Sequence, residues 1–266
     1  MYEYTVSQWV IFFFWYCFLG WIWESCYVSV NKAIKKRRWE WINRGFLNGP
    51  AIPIYGFAAI SILLGTIGVR DRTMLVFVLG ALAATLMELF TGSTMERIFH
   101  VKYWDYSELP LNYKGYICFF VSLFWGLLSV FLVKVIHVPI ENLLLKCPII
   151  LTEIVSLLLV GVFAYDFHES LNAALDMKDI LEKLADGRVI IERLENRVDA
   201  VIAFTAIPDL SEIREIPKSA RKEIRYRLEK SRSRRIALHL RHNPTAISRK
   251  YKEAFEELKE LLQERR

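Results

Sequence analysis

Two glutamates of this 266-residue sequence lie inside long apolar stretches. Glu24 stands in FLGWIWESCY, and Glu88 stands in TLMELFTGST. A charged group inside a membrane-spanning helix is costly, so such acids face the bundle interior, are paired or protonated, and often belong to a proton or ion pathway. Both are therefore candidate substrate-binding or ion-binding residues. The alternative is that they only bond to neighbouring helices.

The segment around Glu88 carries a second acid on the same face of a predicted helix. Five residues have the spacing i, i+3, i+4, i+7, i+8, which places them on one face of a helix: Glu88, Thr91, Gly92, Met95 and Glu96. Small residues on such a face let a neighbouring segment approach closely. Glu96 is therefore a third acidic candidate, beside a notch of small residues.

The two buried acids recur within a repeated pattern. Asn48 lies 24 residues after Glu24, and Asn112 lies 24 residues after Glu88. A leucine directly precedes each asparagine. This similarity at an offset of 64 residues predicts a duplicated helical hairpin. Parallel repeats form substrate sites between their halves, and two acids at equal depth near a shared axis titrate as a coupled pair. Such a pair suits cation or proton handling.

Polar and aromatic residues gather at the two chain reversals that follow these acids. An aromatic belt at the membrane interface explains Trp and Tyr there without any function. It does not explain the polar residues, whose side chains can point back beneath the bundle. We therefore include four polar residues of the two reversals among the substrate-binding or ion-binding candidates: Arg44, Asn48, Asp105 and Asn112.

The first reversal, RGFLNGPAIPIYG, begins the second apolar segment. Asn48 or Gly49 is expected to cap a helix whose first position is Pro50. Pro53 then removes a donor from the first full turn. The free amides at this helix start, with Arg44 four residues before Asn48, predict an anion-binding corner; a merely structural kink is the alternative.

The chain is 54% hydrophobic and 24% charged, and the two kinds of residue are unevenly distributed. The long apolar runs lie in residues 1–166, and they predict the helices that position these candidates. Apolar runs of about the 20 residues that cross a bilayer occupy 5–30, 50–69, 74–95, 116–136 and 147–166. We predict an all-α, polytopic membrane bundle of five transmembrane helices over residues 1–166. The first run lacks a basic n-region and a cleavage motif, so it is interpreted as an anchor.

Basic residues in the short loops predict the orientation. The loops after the first and third runs hold most of them: Lys32, Lys35, Lys36, Arg37, Arg38, Arg44, Arg97, Lys102 and Lys114. By the positive-inside rule, the N-terminus is outside, and the tail is cytosolic after an odd number of crossings. A multi-pass protein of the cell (plasma) membrane is expected.

The polar tail divides into two predicted parts. Residues 167–206 place apolar positions at alternating intervals of three and four from Met177 to Val201, which predicts a coiled-coil-like cytosolic helix. Residues 207–266 form a basic helical tail. Its expected partner is anionic lipid, with a plain solvated helix as the alternative. Nucleic acid is not expected, because no recognition motif accompanies the basic residues.

No metal or cofactor site is predicted. The four cysteines fall within or at the ends of apolar runs without a C-x-x-C motif, and the histidines are dispersed. The sequence also lacks the G-x-x-x-x-G-K-[ST] phosphate loop and any recognised catalytic motif, so an enzyme is not the favoured interpretation. Any ATPase that drives transport is therefore a separate subunit.

Three stretches in order, RGFLNGPAIPIYG, ELFTGSTMERIF and WDYSELPLNYKGYICFFVSLFWG, resemble the bacterial ABC-transporter type IV (CmpB-like) family of integral membrane proteins. The likeness covers roughly residues 10–165, and GWIWES fits the family's first helix. The resemblance implies a permease-like protein. It places the following residues on motif positions: Glu24, Arg44, Asn48, Gly49, Pro50, Glu88, Gly92, Glu96, Trp104, Asp105, Tyr106, Asn112 and Gly115. The resemblance thereby implies Trp104 and Tyr106 as two further substrate-binding or ion-binding candidates.

Three functional interpretations stay open. The first is a permease-like transport component of unknown substrate, acting as a homo-oligomer or with a separate ATPase. The second is a membrane enzyme acting on a lipid or amphiphile at the cytosolic interface, with Glu88 or Glu96 as the base and Arg44 holding a phosphate or carboxylate. The third is a scaffold or sensor whose bundle anchors the tail.

Overall fold

The computed structural model of the chain describes residues 4–37, 39–205 and 232–263. Its elements, in chain order, are the helices α1 (Val6–Lys36), α2 (Pro53–Thr66) and α3 (Thr73–Phe99), the strands β1 (Asn112–Tyr113) and β2 (Ile117–Cys118), then α4 (Phe119–Phe131), a π-helix (Leu132–Ile136), α5 (His137–Leu145), α6 (Ile149–Thr205), α7 (Arg232–His242) and α8 (Lys252–Gln263). The strands pair antiparallel in a small hairpin.

Four helical stretches of the described chain are long and apolar enough to cross a membrane. They are Val6–Ile34, Thr73–Phe99, Phe119–Leu145 and Ile149–Asp186. The predicted second span corresponds to the 14-residue α2, whose length of about 21 Å is less than the roughly 30 Å of a hydrocarbon core. A membrane helical bundle is therefore supported, and the count of five spans stays a prediction.

The start of α2 differs from the prediction. Asn48, Gly49 and Pro50 lie outside the helix, which begins at Pro53 after Ile52 in an extended conformation. Pro53 lies in the first turn, where backbone N–H groups make no intrahelical hydrogen bond, so the N–H that proline lacks is not needed there. The predicted cap at Asn48 or Gly49, the predicted first position at Pro50 and the predicted loss of a helical donor at Pro53 are therefore wrong.

The first four helices pack in chain order, since α1 contacts α2, α2 contacts α3, and α3 contacts α4. The close contact of α1 with α2 depends on Gly20, because a Cβ atom there would lie 2.3 Å from the Tyr55 ring. The long loops after α1 and after α3 lie at one end of the bundle, here called the loop end. Both α1 and α3 stop at a residue in the left-handed region, Arg37 and His100. The duplication itself stays a prediction.

The helix α6 packs against α1 and continues without interruption beyond residue 166. Its buried positions, among them Met177 and Leu184, form a hydrophobic core with α7 and α8 of the same chain. That core also includes Tyr103, from the loop after α3. The coiled coil and the predicted domain division stay predictions, and residues 206–231 of the tail lie outside the described part.

Candidate functional site

Glu88 lies on α3 and is 5% exposed. Its Oε1 accepts a hydrogen bond from the Tyr106 hydroxyl at 2.8 Å, and its Oε2 accepts one from Trp125 Nε1 at 3.1 Å. Burial raises the pKa of Tyr106, so this phenol stays a neutral donor. Among the described residues, no Lys, Arg or His nitrogen lies within 4.0 Å of the Glu88 carboxylate. Two neutral donors therefore hold an acid inside the bundle.

Glu24 lies on α1 in a different electrostatic setting. Its Oε1 accepts a hydrogen bond from the Tyr55 hydroxyl of α2 at 2.8 Å. Its Oε2 lies 3.8 Å from Arg44 Nε, which makes a salt bridge. The Arg44 side chain is only 11% exposed. Glu24 is thus a paired acid, whereas Glu88 is not.

The surroundings of the two acids meet between α2 and α4. The rings of Tyr55 and Trp125 stand edge to face with their centroids 5.9 Å apart, and each ring carries the donor to one acid. We call Glu24, Arg44, Tyr55, Glu88 and Trp125, together with Tyr106, the carboxylate network. With both acids ionised and Arg44 protonated, its net charge is −1, which a proton or a monovalent cation would neutralise.

Glu96 lies two turns from Glu88 along α3 and bonds to a different tyrosine. Its Oε2 accepts a hydrogen bond from the Tyr116 hydroxyl at 2.6 Å. The backbone oxygen of Tyr116 accepts one from Trp104 Nε1 at 3.0 Å. The Trp104 and Tyr116 rings pack on Gly92, as the predicted notch of small residues requires. Glu96 and Trp104 therefore form a neighbouring cluster outside the carboxylate network.

Asp105 pairs with two cations. Its Oδ1 lies 3.3 Å from Lys102 Nζ and 3.1 Å from Arg249 Nη2, and the Ser107 hydroxyl donates to it at 2.6 Å. Burial alone would raise the pKa of Asp105, but the Ser107 hydrogen bond and the two cations lower it overall. Lys102 is 2% exposed and also donates to the backbone oxygen of Lys114 at 2.7 Å. Asp105 is thus a fully engaged structural anion.

Asn112 fixes the turn that contains Asp105. Its Nδ2 donates to the backbone oxygens of Ser107 and Leu109 at 3.2 and 2.7 Å, and its Oδ1 accepts from Gly115 N at 3.0 Å. Tyr106 N in turn donates to Gly115 O at 2.9 Å. The amide of Asn112 therefore positions the loop that delivers Tyr106 to Glu88.

Gly115→Ala is expected to destabilise this turn. Gly115 has φ +67°, and a Cβ atom there would lie 1.9 Å from Asp105 Oδ1. The left-handed conformation alone costs a non-glycine residue roughly 1–2 kcal/mol, and the contact adds to it. Thermal denaturation of the purified protein should show a lower midpoint. The control is Gly161→Ala, because no atom lies within 4 Å of that Cβ position; equal midpoints for the two variants would contradict the expectation.

The predicted anion-binding corner is occupied by the protein itself. The backbone amides of Asn48 and Gly49 donate to the two carboxylate oxygens of Asp166 at 3.0 and 2.8 Å. Asn48 Nδ2 also donates to the Ser170 hydroxyl at 3.1 Å. Asp166 lies on α6, so these bonds attach the first reversal to the last membrane helix. Asn48 is thus placed away from the carboxylate network.

A segment of the tail, residues 243–249 (NPTAISR), lies across both reversals, and we call it the strap. Arg44 Nη2 donates to Tyr103 O at 3.1 Å and to the Thr245 hydroxyl at 2.8 Å. Asn243 Nδ2 donates to Gly45 O at 2.9 Å. The guanidinium of Arg44 therefore joins the strap to the carboxylate network.

The helix that precedes the strap, α7, presents His239 to the loop after α3. His239 is 2% exposed, and its Nε2 lies 2.8 Å from the Tyr103 hydroxyl. The ring of Phe46 packs edge-on against its imidazole. Burial, and after it the charge of His242, lowers the pKa of His239 to about 4. Burial lowers the pKa of His242 as well.

Docking of α7 is therefore expected to weaken on acidification. An exposed histidine titrates near pH 6.5. Because the docked pKa of His239 is depressed, docking is at full strength above pH 6.5 and is lost as the pH falls toward 4, by about tenfold per pH unit for one proton. Spin labels at the exposed positions Arg97 and Leu238 would report the separation. His239→Gln should reduce the pH dependence, and His239→Gln with His242→Gln should remove it, because burial lowers the pKa of both histidines. An unchanged wild-type distance between pH 7.5 and 4.5 would contradict the expectation.

The structure thus brings together Glu24, Arg44, Glu88 and Tyr106, and it places the other candidates in adjacent clusters. Sequence patterns did not single out Tyr55, Trp125, Asp166 or the strap. Tyr55 and Trp125 could have been predicted, because a tyrosine or tryptophan in an apolar helix can donate a hydrogen bond to a buried acid. Among the described residues, no group of three or more His, Cys, Asp or Glu could hold a metal ion.

Comparison with known proteins points to a family. A family model with the description "Putative ABC-transporter type IV" matches residues 11–171. This range contains the whole carboxylate network, and it ends before α7 and the strap. No curated protein and no solved structure matches the chain.

Proposed function

The chain belongs to this ABC-transporter type IV family, and from that membership we propose that it is a permease-like membrane component whose carboxylate network takes a cation or a proton. The observation that carries the proposal is Glu88, an acid buried among neutral donors. Buried ionisable groups in membrane helices commonly mark substrate or ion pathways. With both acids ionised, the net charge of −1 favours a cationic group over an anionic one.

The loop end is proposed to face the cytosol of a bacterial cell, with the N-terminus outside. Lys32 and Arg37 lie at this end, close to the exposed indoles of Trp39 and Trp41. Basic residues in short loops favour the cytosolic side, and tryptophans favour the interface. This orientation also places α7 and α8 in the cytosol, where basic side chains of the tail can contact anionic lipid.

An ATPase subunit and a second copy of the chain are the proposed partners. The sequence has no phosphate loop, so ATP hydrolysis would come from another protein. In the described part of the chain, four candidate spans and one short apolar helix make a small bundle, whose exposed positions include the apolar side chains of Phe90 and Leu157. Oligomerisation would enclose a pathway that one copy provides only in part.

Arg44 argues against the enzyme interpretation, in which it would hold a phosphate or carboxylate. Its guanidinium donates to Tyr103 O and Thr245, and it pairs with Glu24. The protein thus already engages Nε and Nη2, the edge of the guanidinium that would bind a lipid headgroup in a two-point contact. The geometry therefore favours the permease over an enzyme of this type.

Flux measurements test the proposal. The full chain would be reconstituted in vesicles of phosphatidylethanolamine and phosphatidylglycerol, with a trapped pH dye for protons and isotopes for Na⁺ and Rb⁺. We expect at least one of these gradients to dissipate faster than in protein-free vesicles, either with the chain alone or with ATP and a co-purified ATPase subunit. If none moves under either condition, the proposal fails.

A further inference from the structure

A second group of polar side chains lies at the end of the bundle opposite to the loop end, where α1 begins, α2 ends and α3 begins. It comprises Tyr4, Tyr16, Arg70, His137 and Glu141, which we call the far-end cluster. Tyr4 directly precedes α1, and Arg70 lies in the connection between α2 and α3. His137 is fully buried, and Glu141 is 7% exposed. The carboxylate network shares none of these residues.

The Arg70 guanidinium determines which nitrogen of His137 carries a proton. Arg70 Nη2 lies 3.3 Å from His137 Nε2 and donates to the Tyr4 hydroxyl at 3.3 Å. The Tyr4 hydroxyl gives its own hydrogen to Glu141 Oε1. A guanidinium has donors and no acceptor, so Nε2 must be the bare nitrogen and Nδ1 the protonated one. Nδ1 then donates to the Tyr16 hydroxyl at 2.6 Å.

The far-end cluster is electrically balanced while this imidazole is neutral. Arg70 contributes +1 and Glu141 contributes −1, and Arg70 Nη1 lies 3.2 Å from Glu141 Oε1 and 3.4 Å from Oε2. The titratable and charged groups that face His137 are Tyr4, Tyr16, Arg70 and Glu141. A proton added to His137 makes the net charge +1 inside the bundle, where charge is costly. Such a proton is therefore held reversibly.

Arg70 has a donor that this arrangement does not use. Its Nε is buried and has no hydrogen-bond partner among the described residues. Unpaired buried donors are rare in proteins. A carboxylate binds a guanidinium best in a two-point contact, and the edge formed by Nε and Nη2 becomes free to make one with Glu141 when Nη2 leaves the imidazole. Arg70 therefore has a second arrangement available, directed wholly at Glu141.

Solvent reaches the far-end cluster at Arg70. The Arg70 side chain is 21% exposed, whereas that of Glu141 is 9% exposed. His137 Nε2 faces Arg70 from behind, so a proton arriving from this end passes the guanidinium before it meets the imidazole. His137 also directly follows the π-helix Leu132–Ile136, and such turns often lie at functional sites.

We propose that the far-end cluster is a proton-binding site, at which His137 Nε2 takes a proton from water at this end while Arg70 moves from the imidazole to Glu141. A hydronium ion becomes water, an Nε2–H bond forms, and the hydrogen bond from Arg70 Nη2 to Nε2 breaks. Release of the proton to water reverses these changes.

Tyr16 gives this site its expected purpose. It accepts from His137 Nδ1 and lies two turns from Glu24 along α1, a rise of about 12 Å. A proton bound at the far-end cluster would thus be one destined for the carboxylate network. That purpose rests on the proposed function, whereas the binding of the proton does not.

Nitrogen NMR of the full chain in lipid nanodiscs tests the site. The histidines would be labelled with ¹⁵N and titrated from about pH 8 to about pH 4, a range that brackets ordinary histidine titration. The signals lost in His137→Gln identify His137. We expect a proton on Nδ1 and a bare Nε2 at the high end of the range, and a proton on both nitrogens of the folded protein at the low end. The Arg70 Nε signal should shift with the same midpoint, as that donor binds Glu141.

Two charge-removing variants should change the proton affinity of His137 in opposite directions. Arg70→Gln removes a repelling cation and should raise the affinity at least about tenfold, and Glu141→Gln removes an attracting anion and should lower it by a similar factor. The matched control is Arg72→Gln, which removes an exposed arginine from the same connection and should leave the affinity within about twofold of wild type.

Exchange of the imidazole C2 hydrogen, read by mass spectrometry of the peptide that contains His137, gives the protonation midpoint of the wild-type protein. This measurement decides the proposal even if a variant does not fold. A proton on Nε2 at the high end of the range, an imidazole that stays neutral throughout, or equal affinities in Arg70→Gln and Arg72→Gln would each overturn the proposal. No flux enters these experiments, so the site can be established where the transport assay fails and refuted where it succeeds.

Discussion

Arg44→Ala is expected to lower the free energy of unfolding by about 3 kcal/mol, because it breaks a largely buried pair and leaves its partners unsatisfied. The side chain pairs with Glu24 and donates to Tyr103 O and Thr245. Without it, a half-buried carboxylate keeps only the Tyr55 hydroxyl. The strap also loses its contact on the side of Glu24, so both the bundle and the docking of the tail are weakened.

Denaturation of the purified protein in mixed micelles, followed by tryptophan fluorescence, measures this change. The matched control is Arg241→Ala, which removes an exposed arginine from α7. Arg44→Lys should fall between wild type and alanine, since an ammonium keeps the charge but lacks the planar fork that serves several oxygens. A loss for Arg44→Ala no larger than that for Arg241→Ala would show that these contacts contribute nothing.

Asp166→Ala is expected to lower the free energy of unfolding by about 1–2 kcal/mol and to create an anion-binding site. Two backbone amides, those of Asn48 and Gly49, donate to its carboxylate. Hydrogen bonds to a charged group contribute roughly 1.5–3 kcal/mol when buried. The loss expected for Asp166→Ala is smaller than this range because Asn48 is exposed, so these hydrogen bonds are not fully buried. The amides left behind point to a cavity the size of a carboxylate.

Rescue of Asp166→Ala by an added small carboxylate tests this prediction. Formate or acetate should raise the unfolding midpoint of Asp166→Ala and leave the wild-type protein unchanged, because only the variant has vacant amides at this corner. Asp166→Asn, which keeps one acceptor oxygen, is the intermediate control. An equal response of wild type and Asp166→Ala to formate would show that the site is not formed by these two amides.

The inward placement of Glu24 and Glu88 was predictable from the sequence, because exposing a carboxylate of an apolar helix to lipid is costly. The partners of Arg44 were not predictable, since Thr245 lies about 200 residues away along the chain and the strap has no apolar periodicity. Local patterns specify helices, but polar contacts of such separation depend on the complete packing.

The start of α2 shows the same limit at short range. Pro50 and Pro53 are both acceptable in a first helical turn, so local rules favour neither. In the structure this stretch makes tertiary contacts instead, because Asp166 accepts from the amides of Asn48 and Gly49 and Cys17 O accepts from Ile52 N. The amides of this stretch bind an anion, the Asp166 side chain, but they lie before the helix and Arg44 takes no part.

The most direct test of the central claim is cation flux through Glu88→Gln in reconstituted vesicles, beside wild type and Glu153→Gln. Glutamine keeps the size of Glu88 and one acceptor oxygen for Tyr106, but it cannot carry the charge. We expect Glu88→Gln to fall to the level of protein-free vesicles and Glu153→Gln to match wild type. Wild-type flux through a folded Glu88→Gln protein would show that the carboxylate network is not the cation site.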